Sequence, residues 1–148
     1  MRRCRGGGLR RDAVDKGKMV MPYVDALTTW DIDFGRELWQ ALRQNEKFPA
    51  HGVFWLLDSE NGWRLIVATP RVDQVGRRKA YEELGSFTRG VVPGAGQSLL
   101  VELISPRTPL YQALRSVFGK TAAVEGARLG NTQIGGMYVD DAYLYEIR

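Results

Sequence analysis

Few residues in this chain have both the type and the spacing that chemistry requires. Gly119-Lys120-Thr121 matches the end of a phosphate-binding loop. That loop needs a glycine five positions before Gly119 and a helix after the motif, so that backbone amides and a helix N-terminus cradle the phosphates. Position 114 is Leu114, and the helical pattern comes before the motif. Gly119 reads as a helix stop and Lys120 as a cation at a helix C-terminus. Pro93-Gly94-Ala95-Gly96-Gln97-Ser98 places two glycines ahead of a strand. A dinucleotide loop follows a strand and opens a helix, so this order reads as a plain loop.

His51 is the only histidine. A histidine metal site needs further ligands, and a Ser-His-Asp triad needs a positioned serine; no G-x-S-x-G turn exists. His51 reads first as a hydrogen-bonded residue at a strand end. Asp58 and Glu60 flank a turn, and Asp140-Asp141 interrupts a late strand and marks an expected bulge. No strand carries the acid-x-Lys pattern of a metal-dependent nuclease, and Lys79 and Lys120 are the only lysines after Lys47. These residues point away from catalysis, and no metal or cofactor is expected.

Charge gives a second line. The formal net charge is +4, which invites nucleic acid. Residues 1–18 alone carry +5, however, so the rest of the chain carries −1. This tail contains Gly6-Gly7-Gly8 and almost nothing apolar, a composition expected to stay disordered. It fits a basic arm that contacts phosphates, an ordered role, or an upstream extension of a bacterial gene whose start is Met19 or Met21. It lacks the apolar core of about 7–15 residues that a secretory signal needs. Cys4, the only cysteine, lies in it. With no body cysteine and no apolar run of about 18 residues, the chain is expected to be cytoplasmic and not membrane-bound. In the body, Arg71, Arg77, Arg78, Lys79 and Arg89 form one basic cluster. Arg78–Glu82 and Lys79–Glu83 stand at i, i+4, which neutralises part of it. Tyr138, Tyr143 and Tyr145 would stack bases if exposed, but strand tyrosines are usually sheet packing.

The elements that must position these residues follow from periodicity. Leu27, Trp30, Phe34, Leu38, Ala41 and Leu42 predict a helix over about 28–44, capped by Thr28 or Thr29. Residues 51–58 and 63–69 predict a hairpin around Ser59-Glu60-Asn61-Gly62. A helix over 73–88 follows, with Gly76 weakening its start. Then come a loop at 91–97, a strand at 98–105, and a helix opened by Thr108-Pro109 and closed by Gly119. A second hairpin turns at Gly135-Gly136. The order α-β-β-α-β-α-β-β predicts one α+β domain over 19–148. It would be a two-layer sandwich with a mostly antiparallel five-stranded sheet and three helices.

The strand at 51–58 is apolar on both faces. Arg64 and Glu102 sit among apolar residues on the other two strands and would pair if those strands are close. Three helices leave part of such a sheet face to bury, which predicts a homodimer. The leading functional expectation is a non-catalytic interaction or regulatory domain of a bacterial cytoplasmic protein, homodimeric or a partner subunit. The alternatives are nucleic-acid binding through the tail and the Arg71–Arg89 cluster, and a small ligand-binding protein or enzyme with a pocket around His51, Arg64 and Glu102.

Overall fold

A computed structural model describes residues 26–60, 62–89, 101–120 and 124–148. The basic tail with Cys4, the 91–97 loop and the start of the third strand fall outside these residues.

Helix α1, Thr29–Arg43, starts where the composition places a cap. The Thr28 hydroxyl accepts from the Asp31 N–H at 3.1 Å, and Asp31 accepts from the Thr28 N–H at 3.0 Å. Phe34, Leu38 and Leu42 face the core, with Gly35 and Trp39 beside them. Trp30 does not join them. It is 49% exposed and stacks on Phe34.

Strands β1 (Gly52–Asp58) and β2 (Gly62–Ala68) form the expected antiparallel hairpin. Gly62 pairs with Asp58 at φ +80°, so the loop is one residue shorter than the sequence suggested. The helix expected over 73–88 is divided. Gly76 adopts φ +89°, which side chains disfavour, and separates α2 (Arg71–Val75) from α3 (Arg77–Thr88). The described residues therefore contain four helices. Strand β3 (Val101–Ile104) runs parallel to β2, because α2 and α3 carry the chain across one face before it returns. Helix α4 (Pro109–Phe118) has proline at its start. The Thr108 hydroxyl donates to the Ser105 carbonyl instead of capping the helix. Strands β4 (Ala127–Ile134) and β5 (Met137–Ile147) close on Gly135 and Gly136, at φ +58° and +80°. That is the two-residue turn expected there.

The sheet order is β3-β2-β1-β5-β4, antiparallel except at β2–β3. Helices cover both faces, which corrects the two-layer expectation. Val53, Trp55, Leu65 and Val67 pack with α1 and α3. Phe54, Ile66 and Ala68, from the same strands, pack with Tyr111, Ala113 and Leu114 of α4. The doubly apolar β1 is thus a central strand buried on both sides.

Strand β5 carries two irregularities. At Asp140 the pairing with Asn131 lapses, and Asn131 takes φ +47°. The β4–β5 register is the same on either side, so in place of the expected Asp140-Asp141 bulge there is one unpaired position with no inserted residue. The true register shift lies at Tyr145, opposite Val53 and Phe54. This bulge turns Tyr145 and Glu146 both toward α1. The buried Tyr145 hydroxyl donates to the Ile32 carbonyl at 2.6 Å and accepts from Trp55 Nε1 at 3.1 Å. Trp39 Nε1 donates to Glu146 at 2.8 Å. Gly35 permits this approach, since a Cβ there would overlap the Tyr145 hydroxyl and come within 2.7 Å of Trp55 Nε1.

Gly35→Ala is expected to destabilise the fold by about 1–3 kcal/mol through overpacking. Tyr145→Phe is expected to cost about 1–3 kcal/mol by stranding the Trp55 indole N–H. Urea unfolding followed by tryptophan fluorescence measures both. A wild-type midpoint in Gly35→Ala would mean that α1 shifts freely on the sheet.

Candidate functional site

The turn after α1 and the outer side of α2 and α3 enclose an open groove of about 590 Å³. Asn45, Lys47 and Phe48 line one side, and Arg71, Lys79, Glu82, Glu83, Ser86 and Phe87 the other. Local chemistry holds each side. Asn45 accepts the Lys47 N–H at 3.1 Å, which forms a tight Asx turn. Phe48 is then driven into the core, where it is 2% exposed. The buried Thr69 hydroxyl donates to the Pro49 carbonyl at 2.6 Å and accepts from the Arg71 N–H at 3.2 Å, joining the turn to the start of α2.

The basic cluster is largely committed to the fold. Arg71 forks onto Glu83 at 2.9 and 2.6 Å and also reaches Gln74. That bond raises the Arg71 pKa and holds the Glu83 carboxyl below its usual range, with Lys79 adding a smaller effect. Arg77 donates to the Leu103 carbonyl at 2.6 Å, and Tyr81 accepts the Leu103 N–H at 2.9 Å. These two side chains satisfy the outward backbone groups of Leu103 on the edge strand β3. Arg89 reaches the Ser86 hydroxyl at 3.3 Å. Arg78 stays in solvent, 3.5 Å from Glu82. Lys79 and Lys47 have no ion pair among the described residues. The groove thus holds Glu83 forked by Arg71, Glu82 near the exposed Arg78, and two lysines without an ion pair among the described residues, beside the half-buried Phe87.

Arg64 and Glu102 do meet, Nε to Oε1 at 2.9 Å. The contact lies off the hydrogen-bonding direction and leaves Nε without an aligned acceptor. Both side chains are about one-third exposed, at 35% and 34%. They sit beside Leu56 at the end of the sheet face that α4 covers only in part. His51 is elsewhere. Glu102 shares its row with Ile66 and Phe54. His51 is three residues from that row and two strands across, which is about 10 Å along the sheet and about 10 Å sideways. One pocket built on all three residues does not form.

His51 is instead tied by its backbone into the end of the central strand, between β2 and β5. Its N–H donates to Ala68 at 2.7 Å, and its carbonyl accepts from Arg148 at 2.8 Å. Among the tyrosines, Tyr145 is buried and Tyr138 is 57% exposed, with its hydroxyl donating to Asn131. Asp141 is forked onto Arg128 at 2.8 Å. Gly119 ends α4 as expected. Among the described residues, no group of three or more His, Cys, Asp or Glu is arranged to hold a metal, and no helix is long and apolar enough to cross a membrane.

Lys47, Phe48, Ser86 and Phe87 were not legible as site residues. The one local signal is Asn45-x-Lys47, an Asx turn that leaves Lys47 outside while Phe48 turns into the core.

Burial is the main cause that lowers the His51 pKa, helped by Arg148 and Arg115 and opposed by Glu146. The folded chain therefore holds His51 neutral where the unfolded chain binds a proton. Its contribution to stability is full above the ordinary value of 6.5 and is lost as pH falls from there through the lowered value of the folded chain. Urea midpoints are expected to decline below that pH, and less steeply in His51→Gln. An unchanged slope in His51→Gln would assign the titration to another group. No protein-family model, curated protein or solved structure matches this chain.

Proposed function

We propose that this chain is a non-catalytic interaction or regulatory domain, working as a homodimer or as a subunit beside a partner protein. The groove between the 45–48 turn and α2–α3 carries the reading. It is open, mixed in polarity and rigidly framed. Within it the half-buried Phe87 is an apolar contact point surrounded by charged side chains, an anchor inside a polar rim. The partly covered sheet end at Leu56, Arg64 and Glu102 offers a second surface for self-association.

Nucleic-acid binding is the weaker reading for a physical reason. A phosphate-binding patch needs several uncommitted cations at once. Arg71 and Arg77 are bonded within the fold, and the groove adds the carboxylates of Glu82 and Glu83.

The full chain, purified gently, is expected to give a native mass spectrum containing a homodimer or a complex with another polypeptide. A monomer that retains a nucleic acid or a small metabolite would overturn the proposal.

A further inference from the structure

We infer that the groove beside Lys47 and Lys79 takes a segment of a partner protein that presents a carboxylate next to an apolar side chain. This inference rests on the reading of the chain as an interaction domain and names the chemistry that the domain recognises.

The charge balance inside the groove sets the sign of the ligand. Glu83 is held by the Arg71 fork, and Glu82 faces Arg78. Arg71 and Arg78 match these two carboxylates in number, although the exposed Arg78 contact is a weak one. Lys47 and Lys79 enter from different elements, and among the described residues neither has an ion pair. The charge left over is positive and comes from both sides of the groove, which favours an acidic group between them.

The floor sets the rest of the ligand. Phe48 is buried beneath this space and Phe87 lines it half-buried, so the aromatic surface within reach is that of Phe87. A free inorganic anion would leave that aromatic surface in water. An apolar side chain next to the carboxylate would cover it, and burial of such an anchor supplies most of the affinity at small recognition sites.

The frame is also prepared in advance. The Asx turn at Asn45, the Thr69 bridge and the Arg71–Glu83 fork fix both sides without a ligand. Little ordering is then left for binding to offset. An RNA or DNA strand fits less well, because its row of phosphates needs more free cations than these two lysines supply, whereas a single carboxylate does not.

The test is a selection on the full chain with a phage-displayed library of random dodecapeptides. The enriched peptides are expected to combine Asp or Glu with Leu, Phe or Trp, and to bind more weakly as salt rises. Lys47→Glu with Lys79→Glu is expected to weaken the best peptide about tenfold or more. A peptide with its acids exchanged for lysine is expected to recover binding to that variant. Both lysines are exposed, so the circular dichroism of the variant should match the parent, with the urea midpoint lowered only slightly by repulsion between the new carboxylate at position 79 and Glu83. The inference is overturned if selection yields nothing above background, if it yields basic or uncharged sequences, or if the double variant binds acidic peptides normally. A homodimer or protein complex in the native mass spectrum, together with a failed selection, would keep the interaction reading and remove this groove from it.

Discussion

The Tyr145 hydroxyl is where helix, central strand and edge hairpin become one body. It lies in the core, donates to a carbonyl of α1 and accepts from the indole of β1. A buried hydroxyl without these partners would be costly, so the geometry around it has little freedom. Three features exist in consequence. A bulge in β5 turns Tyr145 and Glu146 to the same side. Gly35 lets the α1 backbone come down onto the ring. Trp39 gains Glu146 as acceptor, while Glu146 also contacts Arg148 at 3.0 Å. Burial pushes the Tyr145 pKa well up, so the hydroxyl stays protonated and can keep donating.

Once α1 is seated, its C-terminal end fixes the 45–48 turn, and the groove follows from what lies across from it. Helices α2 and α3 are there because β2 and β3 are parallel and need a crossover. Their cations then serve the crossover. Arg71 ties α2 to α3, and Arg77 with Tyr81 occupies the free edge of β3. A segment that looks basic in sequence becomes nearly neutral in action. The lysines without such work are the ones left facing the groove.

Several elements were legible from the chain alone because their signals are local. The spacing of Phe34, Leu38 and Leu42 makes a helix with one apolar side, and Thr28 and Asp31 cap it within one turn. Gly135-Gly136 supplies two positive φ values in a row, which almost no other pair would tolerate. Gly76 was visible as a weakness in a helix and proved to be its break. The near-continuous apolar run of β1 also held its own answer. A strand apolar on both faces needs cover on both, which a two-layer sandwich does not supply.

Tertiary structure alone decided the rest, because periodicity reports that a residue is buried and not what buries it. Whether Arg64 meets Glu102 depended on β3 pairing with β2, a contact between segments far apart in sequence. Whether His51 joined them depended on the same register, which instead put it at the far end of the sheet. The site was least legible of all. Lys47 and Phe48 sit in a turn, where no period exists to flag them, and they matter only because α3 lies opposite. Local sequence determined the helices, the hairpins and the capping turns, since each of these closes over a few neighbouring residues. Strand order, the Tyr145 bulge and the groove needed the assembled core, since each joins residues that only packing brings into contact.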